Sequence, residues 1–217
     1  MRTGQGRALT ISALMLLLAG GCATSRGILD VRVSDSQNPA SGPAVAIARV
    51  TDKRVFEENP RDPSIPSLKG SEIGDRSLTA RAIARKRNTY GKALGDILLP
   101  EGRTVEDVVR EALVKSFREA GYRVVDGSAG SDGAVVPVEA DIDQFWSWLV
   151  PGFWAVSMKF EATVVLKGNI PALQNGETVR SSVELHAQVA DTRAWLNTVH
   201  KGMDMLVSEV SKRLTKQ

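Results

Sequence analysis

The 217 residues carry 28 Lys and Arg against 25 Asp and Glu, a formal net charge of +3, with 42% hydrophobic side chains and one cysteine. Two of the basic residues, Arg2 and Arg7, fall in an N-terminal leader, so the remainder is near neutral and lacks the basic excess of a nucleic-acid binder. A single cysteine excludes a disulfide framework, and the length suits one domain held by buried apolar surface.

Arg2 and Arg7 precede an apolar stretch from Ala8 to Ala19, after which Gly20 and Gly21 lead to Cys22. The layout is that of an export signal, and the stretch is well short of the ~20 residues a spanning helix needs. Leu18-Ala19-Gly20-Gly21-Cys22 resembles the lipobox of bacterial lipoproteins, although the favoured leucine stands four residues before the cysteine rather than three. The resemblance implies a signal peptide over 1–21, with Cys22 acylated as the new first residue. The competing reading, an ordinary signal cut nearby, leaves a reactive thiol in an exported protein. Ala23 stands where an Asp favours inner-membrane retention in lipoproteins of the common Gram-negative type. By that resemblance the address is the outer membrane, facing the periplasm, with membrane contact through the lipid on Cys22.

Residues 22–43 read as lipidated N-terminus and linker, with Ile28 to Val33 as an edge strand, and 44–217 as one α+β domain. Ala44 to Val50 is apolar on both alternating faces, as a covered central strand would be. Thr51 to Ser71, containing Pro60, Pro63 and Pro66, reads as a long loop. Arg76, Arg81, Arg85, Lys86, Arg87 and Lys92 form a basic segment around a strand centred on Ala82-Ile83-Ala84, followed by a short apolar run at Leu94 to Leu99. The segment is read either as a solvated, charge-protected strand or as a patch for anionic lipid headgroups, lipopolysaccharide or an acidic partner.

Thr104 to Ala120 is the clearest helix. Thr104 and Asp107 approximate a capping box, Val105, Val108, Val109, Ala112, Leu113 and Phe117 form one stripe, and Gly121 supplies the stop. Three alternating segments follow: Val136 to Ile142, Val156 to Leu166 and Val179 to Val189, joined at Pro151-Gly152 and Asn175-Gly176. A last helix is predicted from about Asn197 to Leu214. The expected architecture is a mainly antiparallel sheet with two helices on one face and a polar opposite face.

Phe145, Trp146, Trp148, Phe153 and Trp154 cluster at the predicted hairpin, although the chain has only four tryptophans. They are read either as core cover at one end of the sheet or as an exposed tip for a partner protein, a lipid surface or a glycan. His186 and His200 stand apart, too few and too separated for a metal centre or a nucleophile–base pair. Asp141 and Asp143 share a strand face, facing Lys159 across it. No cofactor motif is present in the sequence, and no catalytic role is expected.

Arg118-Glu119-Ala120-Gly121-Tyr122-Arg123-Val124, the strand ending Val50-Thr51-Asp52-Lys53-Arg54 and the stretch Arg85-Lys86-Arg87-Asn88 resemble the YajG-type family of outer-membrane lipoproteins over roughly residues 22 to 215. A weaker likeness runs to the auxiliary lipoproteins of lipid-transporting ABC systems. The resemblance implies an address and an architecture but no chemistry. Two functions are therefore expected: a non-catalytic anchored protein that binds envelope components, or a transport accessory holding an acyl chain between sheet and helices.

Overall fold

The computed structural model describes residues 26–34, 41–125 and 135–215. The signal 1–21, Cys22 and part of the linker lie outside the described residues. In chain order the strands are β1 (Gly27–Ile28), β2 (Ala44–Asp52), β3 (Ala82–Arg87), β4 (Ala93–Leu98), β5 (Arg123–Val124), β6 (Val135–Pro151), β7 (Val156–Gly168) and β8 (Glu177–Ala187). The helices are α1 (Arg76–Thr79), α2 (Val105–Glu119) and α3 (Thr192–Thr215).

β6, 17 residues long, organises the sheet. Along one edge it carries β7, which in turn carries β8, both antiparallel. Along its other edge β2 pairs with the first half of β6, and β3 joins near Ser147, both parallel to it. β4 and then β1 extend the sheet beyond β3, and β5 lies beside β2.

This overturns the expected architecture. Among the described residues the sheet is mixed, four of its seven strand pairings are parallel, and three helices accompany it. The cause is where α2 takes the chain. Its start is tied to Ala80 through the Val105 amide, and its end lies beside the start of β2, where the Arg123 amide donates to the Pro43 carbonyl. The chain is thus returned to the far end of the sheet before β6 begins, so β6 starts level with Ala44 and runs alongside β2.

α2 forms because Thr104 and Asp107 complete the capping box and one face is apolar throughout. Gly121, at φ +93°, ends it in the left-handed region. α3 begins five residues earlier than predicted, because the Asp191 carboxylate accepts from the Ala194 amide and caps it. The two long helices pack side by side over one face of the sheet. Their stripes share one core with Ile142, Phe145, Phe160 and Leu166 of the strands.

The opposite face is not polar along its length. Residues 53–81 fold over β3, β4 and β6 and bury Leu68, Ala82, Leu98, Trp146 and Trp148 in a second, smaller core. Arg54 holds this cover down at the seam where β2 leaves β6 and β3 joins it. Its guanidinium donates to the Ala82, Phe145 and Thr79 carbonyls at 2.6–3.0 Å and to both Asp52 carboxylate oxygens. The pair is sealed from water, the Arg54 and Asp52 side chains being 0% and 2% exposed.

Candidate functional site

One end of the sheet gathers features that folding alone does not require. Ala84 of β3 sits beside Ser147 of β6 in parallel register, so both strands run toward the same end. There β3 turns back through residues 88–92, β6 turns back through 152–155, and β8 finishes opposite Val156 before residues 188–191 lead into α3. The 88–92 turn is built by Asn88, whose Oδ1 accepts from the Tyr90 and Lys92 amides, with Gly91 at φ +79°. At the second turn a side chain on Gly152 would collide with the Ala155 carbonyl oxygen, which fixes how tightly the tip folds. Each turn therefore projects its apex outward, and each apex carries an exposed aromatic or aliphatic side chain. Tyr90, Phe153 and Trp154 are 93%, 89% and 84% exposed, and Val150 and Val189 also face water beside them. Phe153 and Trp154 pack edge to face, with centroids 4.7 Å apart.

Behind these turns lies a cleft of about 400 Å³ between β1, β4, the end of β6 and the start of α3. Leu29, Leu94, Ile97, Leu149 and Trp195 make its apolar wall, Lys86 and Arg87 add positive charge, and Asp191 adds one carboxylate. The volume falls within the range of small-molecule sites, with the usual mixture of apolar lining and few polar groups. Trp195 is buried, and its indole Nε1–H has no hydrogen-bond acceptor among the described residues. A buried donor left unpaired is costly and uncommon, and this one is sealed from the cleft as it is from water. The Arg87 guanidinium donates to the Pro60 and Gly91 carbonyls and to Ser67 Oγ. Burial and the neighbouring Arg85 charge lower its pKa from the ordinary arginine value.

The five aromatics of the sequence cluster are divided by the structure. Alternation along β6 sends Phe145 to the helix side, edge to face with Phe160, and sends Trp146 and Trp148 to the loop side. Trp146 stacks against Phe56 and donates to the Pro63 carbonyl at 3.2 Å. These three are core residues, and only Phe153 and Trp154 form the exposed tip. Tyr90, Val189 and Trp195 complete this end of the molecule, and sequence reasoning singled out none of them. For Tyr90 a signal existed: an aromatic residue flanked by Asn88 and Gly91 reads as a turn apex.

The basic segment does not form one patch, because it runs the length of β3 and beyond. Arg76 pairs with Glu106, and Arg81 donates to the Leu99 carbonyl at the end remote from the cleft. Arg85 is buried, 3.4 Å from the Asp96 carboxylate but without hydrogen-bond geometry to it. Burial raises the Asp96 pKa above the usual carboxylate range, opposed by the charges of Arg85 and Arg26. Lys86 and Arg87 reach the cleft, and Lys92 lies exposed on the 88–92 turn. Asp141 is engaged by Lys53 and Lys167 rather than by Lys159, which pairs with Glu184.

No family model matches the chain, and no curated protein matches it. Solved structures similar to it in shape include the following three. One is an uncharacterized protein, 9% identical, covering 88% of this chain and 99% of its own, with a TM-score of 0.45. A second, from Xanthomonas campestris and of the DUF330 family, is 13% identical over 88% of this chain and 91% of its own, with a TM-score of 0.38. The third, from Helicobacter pylori, is provisionally described as a neuraminyllactose-binding hemagglutinin homolog. It is 8% identical over 87% of this chain and 93% of its own, with a TM-score of 0.36.

Proposed function

We propose that this chain is a lipid-anchored, non-catalytic protein of the outer membrane, facing the periplasm, that holds an anionic amphiphile in the cleft beneath α3. The observation that carries the reading is the cleft of about 400 Å³ with its apolar wall, lined by two cationic side chains, Lys86 and Arg87, against one carboxylate, Asp191. An acyl chain would lie against Leu94, Ile97 and Leu149. A phosphate or carboxylate head would stand in the field of Lys86 and Arg87. Such residues bind and orient; none of them supplies a nucleophile. The anchor rests on Cys22 and its leader, and the outer-membrane address on Ala23. The likeness of Arg118 to Val124 to YajG-type lipoproteins agrees with that address.

The test is a titration with lysophosphatidylglycerol, a single-chain anionic lipid, against lysophosphatidylcholine of equal chain length. Emission from Trp195 should change with the anionic lipid, and the change should vanish in Trp195→Phe. Leu149→Trp, which fills a half-buried wall position, should abolish binding without lowering the melting temperature. Equal response to both lipids, or none, overturns the reading.

A further inference from the structure

The turns bearing the exposed apolar side chains lie at the end of the molecule from which the anchor must depart. β1 pairs in parallel with β4, Gly27 opposite Ile97, so Arg26 stands on the side of Gly27 nearer the 88–92 turn. Arg26 is pinned there, 2.7 Å from Glu72 and 3.5 Å from Asp96. Cys22 is four residues further, and four residues span at most about 14 Å. Tyr90 stands six residues beyond Ala84 on β3, and Trp154 seven beyond Ser147 on β6, from the same level of the sheet. Lipid on Cys22 would therefore enter the bilayer beside the Tyr90, Trp154 and Val189 apices.

From this juxtaposition we infer that the apices formed by residues 88–92, 152–155 and 188–191 insert into the leaflet holding the anchor, seating the domain with its cleft mouth at the membrane surface. The inference rests on the lipid-anchor reading above. Tyr and Trp are the side chains enriched at the membrane–water boundary, where an aromatic ring can be buried while its polar atom stays wet. Lys92 on the first connection suits an anionic leaflet, the Phe153–Trp154 turn carries no charge, and on the third Arg193 offsets Asp191. A spatula of exposed aromatics whose Phe153–Trp154 turn carries no acid is a liability in water and is stabilised once immersed. Seated this way, an amphiphile passes between leaflet and cleft without crossing the aqueous phase, and the side chains that contact lipid are those that sequence spacing scatters over a hundred residues.

The experiment uses the full chain processed and acylated in its host, reconstituted into vesicles of phosphatidylethanolamine and phosphatidylglycerol with brominated acyl chains. Trp154 emission, taken as the difference between wild type and Trp154→Phe, should be largely quenched by the bromines and shielded from iodide in the water. Phe153→Ser should reduce the quenching while leaving the melting temperature unchanged, since the residue is exposed. Trp154 emission that ignores brominated lipid and stays open to iodide overturns the inference. So does a photo-crosslinker at position 154 that captures a protein in cells and no lipid. The intact mass of the same preparation reports the acyl groups separately. An acylated chain with Trp154 in water defeats this inference alone, whereas an unacylated chain removes the anchor and the inference together.

Discussion

Ala84 and Ser147 lie side by side in parallel strands, and that single register sends the β3–β4 and β6–β7 turns to the same end of the sheet. Had β3 run the other way, Tyr90 would stand at the opposite end from Trp154, and the cleft would have no apolar rim. The pairing is possible because Asp52 and Arg54 close the seam between β2 and β3 on the edge of β6.

Arg54 is therefore expected to be intolerant of change. Arg54→Met leaves the Asp52 carboxylate buried without its partner and three carbonyls without a donor, a loss of about 3–5 kcal/mol by analogy with broken buried ion pairs. Urea unfolding measures it. Arg54→Lys should recover only part, since an ammonium cannot span the carboxylate and the carbonyls together.

The tryptophans should separate by face. Trp146→Ala removes a wholly buried side chain and its bond to Pro63, and should cost about 3–5 kcal/mol. Trp154→Ala removes an exposed one and should change stability by no more than about 0.5 kcal/mol. Paired chemical denaturation curves of the two variants provide the comparison.

Much of this was legible from residue patterns. The Thr104–Asp107 box, the stripe behind it and Gly121 fix α2 by contacts within one or two turns of chain. The alternating runs gave β6, β7 and β8 and their pairing order, because neighbours in sequence joined by tight turns pair antiparallel. The parallel pairings were not legible, since alternation says which side is wet and nothing about the direction of a partner dozens of residues away. Nor did any periodicity announce that residues 53–81 cover the second face. A Pro-rich loop reads as solvent-exposed, and Asp52 and Arg54 read as ordinary charges at a strand end. For the five aromatics the residue pattern left core cover and exposed tip open, and the structure divides them, with Phe153 and Trp154 exposed. The cleft was not legible, because Leu29, Leu94, Leu149 and Trp195 meet only through tertiary folding.

α3 approaches the sheet closely at Gly202, where a methyl group would overlap the Phe160 ring. Gly202→Ala is expected to cost about 1–3 kcal/mol through overpacking, despite the better helix propensity of alanine. Shrinking the ring should compensate, so Gly202→Ala with Phe160→Leu should be less destabilised than the sum of the single changes. A double-mutant cycle by thermal or urea unfolding reads the coupling.

Acid should weaken the middle of the sheet through Asp141, which β2 and β7 flank. The Lys53 ammonium at 2.7 Å, with Lys167 at 3.0 Å, holds its carboxyl below the usual carboxylate range. A depressed folded pKa contributes stability that is present above the unfolded value of about 3.9 and is lost as pH falls through the folded value. Asp141→Asn should therefore be less stable than wild type at neutral pH, with the two converging in acid. Parallel denaturation curves that keep a constant offset at every pH would contradict this.

The central claim is that fatty chains on Cys22 hold an amphiphile-binding cleft at a bilayer, and native mass spectrometry of the protein extracted from host membranes tests it most directly. The account predicts a mature chain beginning at Cys22 with added acyl mass, accompanied by one bound anionic amphiphile that disappears in Leu149→Trp. A soluble chain without acyl mass, or an acylated chain that is repeatedly free of bound lipid, would contradict it.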